Sequence, residues 1–350
     1  MTLTMSLRQL GLLLVMPFLS VYALELKGGT AALAGLAIGM YGLTQAVFQI
    51  PNGILSDRLG RKPVVLLTMF IFTAGLVLAA LAKNVETLIF ARALQGGGAV
   101  AAVLFSWIGD EISGEKRNRA MAFPGMFVGI TSVFSFIVGP LLIKVVTMSY
   151  IFWICAGLSF LSMLYVLFLL RESGNRKDSS GFHFHEIWKV LGEWRFLKFV
   201  INGFTINYVL TAFFLMIPLY LLRGEQTDHM WIIFVPATLL GIPLMLIASK
   251  KADLGLEKLM IFLALLLMLL STLFLVSSRF LAVFLSALFF FPSYMILTTL
   301  LPAGVTKLSG NNIRGTVTAT FNTFQFVGSF AGSVVSVILW QVSPLISVIV

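Results

Sequence analysis

The sequence predicts an all-α polytopic membrane protein, and three observations carry that prediction. The chain of 350 residues is 59% hydrophobic and only 11% charged, whereas a water-covered domain carries roughly 25% charged residues. Its apolar residues are gathered into runs of about 20, the length that crosses a hydrocarbon core of roughly 30 Å at 1.5 Å per residue. Its charges lie almost entirely between those runs, and they are unequally shared between alternate loops.

The runs fall at 5–25, 32–55, 63–82, 85–108, 120–146, 149–170, 197–222, 230–249, 258–277, 280–302 and 315–342. Each is taken as one span, numbered one to eleven in chain order. Span one starts at the N-terminus. That stretch is too apolar at its start, and too poor in an Ala-x-Ala-like site, to be a cleaved signal peptide. After Ser343-Pro344, the seven residues Pro344 to Val350 reach only about 10 Å as helix. The sequence therefore reads as a chain whose twelfth helix is truncated.

Orientation follows from Lys and Arg. The loops after spans two, four, six, eight and ten carry 17 of the 24, and the alternate set carries 5. The richer set is expected on the cytoplasmic side, with the N-terminus. The net charge of +10 is thereby spent on topology and headgroup contact, which argues against a nucleic-acid partner. The two remaining basic residues, Arg8 and Arg92, lie inside spans. Cys155 is the single cysteine and sits in an apolar run, so no intramolecular disulfide and no cysteine zinc site are possible. It reads as a small buried hydrophobe.

The longest polar segment, 171–196, divides the chain into an N-terminal bundle (1–170) and a C-terminal one (197–350). Its first half, from Arg171 to Gly181, has linker composition. Farther on, Phe184, Ile187, Trp188, Leu191 and Trp194 recur at helical spacing and predict an amphipathic helix lying on the membrane. A weak internal repeat supports the division. Ile112-Ser-Gly precedes span five and Leu308-Ser-Gly precedes span eleven, an offset of 196 residues. Repeated halves related by an axis along the membrane normal mark transporters.

Between spans two and three lies Gly53-Ile-Leu-Ser-Asp57-Arg58-Leu-Gly60-Arg61-Lys62. It resembles the loop motif Gly-x-x-x-Asp-Arg-x-Gly-Arg-Lys of the major facilitator superfamily, at the position that family expects. Span four carries Arg92-Ala-Leu-Gln95-Gly96-Gly-Gly98, similar to the family's Arg-x-x-Gln-Gly-x-Gly. Around Leu7-Arg8-Gln-Leu-Gly11 the chain looks like the drug-efflux branch, and Ile38 to Pro63 is especially similar to its YajR-like group. The resemblance implies two pseudo-symmetric six-helix bundles that rock about a central cavity.

It also implies roles. A helix N-terminus carries about half a positive charge, and the start of span eleven, near Gly315-Thr316, lies on the same face as Asp57. The resemblance implies that Asp57 bridges the halves there in the outward-facing state. Arg58 then needs a carboxylate, and Asp110 at the inner end of span four is nearest by topology. Arg92, costly inside a span, is implied as a cavity residue handling protons or substrate; the alternative is that it snorkels to the outer interface. Gly125, Gly129, Gly139 and Pro140 in span five match the family's antiporter motif in part. The closing glycine pair is absent, so close helix packing is the competing reading.

By resemblance, spans one, four, seven and ten line the cavity. Their polar candidates are Arg8, Arg92, Gln95, Asn202, Asn207, Tyr208 and Tyr294, with Tyr41, Gln45 and Gln49 contributed by span two. Such a sparse polar lining suits a small amphiphile better than a sugar. All 14 acidic residues fall near span ends or in loops, so the usual buried proton-carrying carboxylate is missing. Asp57, Asp110 and Glu25 are the candidate proton sites, and uncoupled transport is the alternative. His183 and His185 point apart on a helix and have no third ligand, so no metal site is expected. No phosphate-binding Gly-x-x-x-x-Gly-Lys-Ser/Thr motif occurs. The expectation is a monomeric inner-membrane transporter without cofactor, not an enzyme, exporting a small amphiphilic solute by alternating access, with protons as the driving ion. A truncated relative without transport, or a ligand-binding receptor or scaffold, is the alternative.

Overall fold

The computed structural model describes residues 1–111, 116–172, 192–223, 230–277, 279–308, 314–343 and 347. Inside those ranges, the side chains at 102, 109–110, 116–126, 128–129, 223, 306–308 and 314–316 lie outside the description. Among the described residues every regular element is helical, and strand-like pairing is limited to a bridge between Lys27 and Asn84. Eight described segments are long and apolar enough to cross a membrane. One of these, Met230–Leu275, has 46 residues, roughly twice what a bilayer needs. It is two spans: Gly255, with φ of 92°, breaks it between Lys251 and Glu257. Only glycine adopts that backbone cheaply.

The eleven apolar runs are all helical. Span one is a helix over Thr2–Leu13, a 3-10 turn over Met16–Phe18 and a helix over Leu19–Glu25. Pro17 explains the break, since its ring clashes with the carbonyl four residues back, at Leu13. Spans two and three are Ala31–Leu59 and Arg61–Ala80. Span four is also broken, into Val85–Gly97 and Ala101–Glu111. Spans five and six are Lys116–Leu142 and Met148–Leu169. Spans seven to eleven are Trp194–Arg223, Met230–Lys251, Glu257–Leu275, Phe280–Leu308 and Arg314–Val342. Trp194, expected in a surface helix, thus opens span seven. The rest of that expected helix, with His183 and His185, lies outside the described residues. Beyond Ser343 only Ser347 is described, its hydroxyl donating to the Ser336 carbonyl at 2.7 Å.

Two symmetric seams join the bundles, and span seven also touches span one between them. Span two packs on span eleven, and span five on span eight. Advancing each span number by six turns one seam into the other, as pseudo-twofold halves require. In the first seam, a Cβ at Gly35 would lie 2.8 Å from the Ser333 carbonyl oxygen, and one at Gly39 only 2.3 Å from Ser333 Oγ. Glycine is what lets these two backbones approach. In the second, Lys144 Nζ sits over the Trp231 ring at 4.1 Å. Nearby, Phe136 packs on Phe214 of span seven and edge-on to Phe291 of span ten, at 5.6 and 5.2 Å. These contacts all lie toward the face where span two begins, opposite the Gly53–Lys62 loop.

Candidate functional site

Two regions gather the residues singled out by sequence. The first is buried in the N-terminal bundle. Span two carries Tyr41, Gln45, Gln49, Asn52 and Ser56 at steps of four, four, three and four, which places them on one face. All five are buried, the most exposed at 8%. A buried polar stripe in an apolar helix must find partners from neighbouring spans.

Span one supplies Arg8. Its Nη2 donates to the Tyr41 hydroxyl at 3.0 Å and to Gln45 Oε1 at 2.6 Å. Its guanidinium lies over the rings of Phe72 and Tyr41, at 5.1 and 6.0 Å. From span four, Arg92 also lies over the Tyr41 ring, at 4.7 Å from its centroid. Arg92 Nη1 donates to Gln95 Oε1 at 2.5 Å, and Gln95 Nε2 donates to the Gly75 carbonyl at 3.0 Å. Tyr41 thus contacts both arginines. Arg92 is 0% exposed, so the snorkelling alternative does not hold in this structure. Gln49 is buried with its Oε1 unpartnered.

Asn52 has a role that sequence reasoning missed. Its Nδ2 donates to the carbonyls of Gly97 and Ala99, at 3.2 and 3.0 Å. Those carbonyls are freed where span four breaks. The side chain therefore clips the break and satisfies backbone acceptors that have no helical partner. The available signal was the polar periodicity of span two around Gln45, Gln49 and Ser56.

The second region is the loop motif. Gly60 joins spans two and three with φ of 104°, and a Cβ there would meet Glu172 Oε1 at 3.1 Å. Asp57 pairs with Arg61, four residues on. Arg61 Nη1 also donates to Ser56 Oγ at 2.6 Å, and Ser56 Oγ donates to the Gly53 carbonyl at 2.7 Å. Glu172 accepts from the backbone N–H groups of Arg61 and Lys62, at 2.8 and 2.9 Å. Lys62 Nζ donates to the carbonyls of Leu167 and Leu170, at 2.8 and 2.7 Å. The loop is therefore tied to the end of span six, with Glu172 closing the N-terminus of span three. By composition Glu172 belonged to the linker, and its role escaped the sequence.

The remaining predicted residues are more scattered. Arg58 is exposed. Asp110 lies one residue before the end of its helix, with a side chain outside the described set. Gly125 and Gly129 lie in span five among positions whose surroundings are not described. Gly139 and Pro140 are buried, and a Cβ at Gly139 would lie 3.0 Å from the Leu14 carbonyl oxygen, where span one breaks. In the C-terminal bundle, Asn202 and Asn207 donate back to their own helix, at Lys198 and Gly203, over 2.8 and 3.1 Å. Tyr208 stacks on Phe204 at 6.3 Å, and Tyr294 on Phe290 at 5.9 Å. Among the described contacts none joins these four to the arginine cluster.

The fold is that of a two-bundle membrane transporter, with paired seams and broken spans beside a buried polar cluster. The sequence model of the Major Facilitator Superfamily matches residues 1–333, and the chain belongs to that family. The inner membrane transport protein YajR of Escherichia coli K12 is 32% identical over 335 residues, covering 93% of this chain and 73% of YajR. An uncharacterised transporter of Buchnera aphidicola subsp. Acyrthosiphon pisum is 31% identical over 333 residues, covering 93% of this chain and 85% of its own. Among solved structures, the nucleoside transporter NupG superposes with a TM-score of 0.76 at 15% identity, covering 99% of this chain and 95% of that one. At that identity the likeness concerns the fold. The chain is a membrane transporter of small solutes and not an enzyme.

Proposed function

We propose that the chain exports a small amphiphilic solute across the inner membrane by alternating access, as a monomer coupled to protons. The loop Gly53–Lys62 and the N-terminus face the cytoplasm in this reading, and the bundles are residues 1–170 and 197–350. One observation carries it: the seam contacts of Gly35 and Gly39 with Ser333, and of Lys144 with Trp231, lie on the face opposite the Gly53–Lys62 loop. Closure at the far seams is one of the two states that alternating access needs, taken here as the inward-facing one. The buried N-terminal cluster supports a solute with a polar head, and the sparse polar residues elsewhere in spans seven and ten support an apolar body.

In the opposite state Asp57 leaves Arg61 and meets the positive end of span eleven, which begins at Arg314. A carboxylate that trades partners between states is a place where a proton biases the switch. The test is counterflow and pH-gradient-driven uptake in proteoliposomes. Exchange of an amphiphilic solute, accelerated by a proton gradient, is the expected result. Exchange without gradient dependence would remove the coupling; absence of exchange by well-folded protein would favour a receptor or scaffold.

A further inference from the structure

Arg8 and Arg92 bring two positive charges into the interior of the N-terminal bundle, and among the described residues neither faces a carboxylate. Arg8 is 5% exposed and Arg92 is 0% exposed. The ion pair described in this structure is Arg61 with Asp57, at the membrane edge. Three of their nitrogens have no acceptor: Nε of Arg8, and Nε and Nη2 of Arg92. The acceptors they do have are neutral: the Tyr41 hydroxyl, Gln45 and Gln95. Neutral acceptors satisfy single N–H groups and leave the charge unbalanced. Guanidinium groups present several N–H donors in a plane and match an oxyanion with paired hydrogen bonds. Both groups lean on the same ring, so one small anion is attracted by both.

We propose that the transported solute carries an oxyanion, a carboxylate or phosphate, on an apolar body, and that Arg8 and Arg92 receive that group. This rests on the transport reading above and names its substrate class. The missing intramembrane acid then has a physical meaning. The counter-charge is supplied by the solute, so binding relieves a buried imbalance that the empty protein carries. Gln95 and Gln45 hold the guanidinium planes, and Tyr41 sets the distance between them.

The test uses three probes of one shape: 4-phenylbutyrate, 4-phenylbutanol and 4-phenylbutylamine. Thermal unfolding of the full chain in phosphatidylcholine nanodiscs gives each affinity from the saturable rise in Tm. The acid is expected to bind roughly tenfold or more tightly than the alcohol, and the amine not to bind. Arg92→Gln and Arg8→Gln each abolish that preference. They also raise the Tm of the unliganded protein, because an unbalanced buried charge is removed. A merely structural arginine would give the opposite sign. Arg92→Lys keeps the preference for the acid with weaker binding, which separates loss of charge from loss of fold.

Equal binding of alcohol and acid, no saturable shift with the acid, or an intact preference in Arg92→Gln would overturn the proposal. Nanodiscs containing phosphatidylglycerol form a further arm. Abolition of the acid's effect there would assign the site to a lipid headgroup and overturn the solute assignment. Counterflow of the same probes keeps the two readings apart. Acid binding without exchange would sink transport alone, and equal exchange of all three would sink the anion alone.

Discussion

Removing the carboxylate of Glu172 tests whether the loop motif is held by span six. In Glu172→Ala, the backbone N–H groups of Arg61 and Lys62 lose the acceptor they now have at 2.8 and 2.9 Å. Losing an N-terminal cap costs about 0.5–2 kcal/mol. Losing a negative charge at a helix N-terminus costs about 0.3–1 kcal/mol more, with the lower end appropriate to an exposed group. Together the end of span three opens more easily by about 1–2 kcal/mol, which is roughly a 5- to 30-fold change in an equilibrium. Lys62 Nζ keeps its bonds to the Leu167 and Leu170 carbonyls, so the loop loosens without leaving. Hydrogen exchange, followed by mass spectrometry on peptides covering 58–64, is the assay. Exchange there should quicken by that factor, while peptides inside span three hold their protection. Glu172→Gln retains an acceptor and loses only the charge, so it should fall between wild type and alanine. Unchanged exchange in Glu172→Ala would refute the assignment of Glu172 as the cap.

Gly39→Val should push spans two and eleven apart, since even a Cβ there meets Ser333 Oγ and the Phe330 ring. Overpacking of this kind costs about 1–3 kcal/mol and should expose the far seam to maleimide at a cysteine introduced as Val337→Cys, a position only 2% exposed in the closed seam; Cys155 is buried and contributes little background. Asn52→Ala should lower the Tm, because two buried carbonyls lose their donor at about 1–3 kcal/mol; an unchanged Tm would mean that water or a neighbour replaces the clip. Asp57→Asn should weaken the proposed dock on span eleven and raise the share of molecules closed at the far seams, and labelling that detects no shift between faces would count against that dock.

Much of the architecture was legible because a bilayer punishes exceptions. An apolar run of about 20 residues has one cheap fate; the break inside span one was not read from the sequence, because proline alone does not decide it and span two runs on through Pro51. Arg92 was legible for the same reason: a cation inside a span is too costly to be incidental. The break in span four was harder to see, because hydropathy runs unbroken through Gly98 and Ala99 and the compensating donor, Asn52, lies in another span. Glu172 was hidden by its setting. Composition marks Arg171 to Gly181 as linker, and nothing local says that one of its carboxylates reaches back to span three. In the C-terminal bundle, Asn202 and Asn207 matched a cavity pattern, yet each amide bonds the carbonyl four residues back. That local bond is always open to a helical asparagine, so polarity alone does not make a cavity residue.

Span two connects these observations mechanically. It is one helix from Ala31 to Leu59, continuous through Pro51. Gly35, Gly39 and Gly42 face span eleven, while on the polar stripe Tyr41, Gln45 and Asn52 meet spans one and four and Ser56 meets Arg61 of the motif loop. At 3.6 residues per turn these two faces lie about 90° apart around the axis. The helix then ends in the loop that Glu172 ties to span six. Displacing span two at its glycine face therefore moves Tyr41 against both arginines, pulls Asn52 against the break in span four, and strains the loop at its far end. A rigid rod touching all three leaves little room for them to move independently. On this geometry the seam, the polar cluster and the motif loop change together, and the proposed oxyanion between Arg8 and Arg92 would act on the seam through Tyr41.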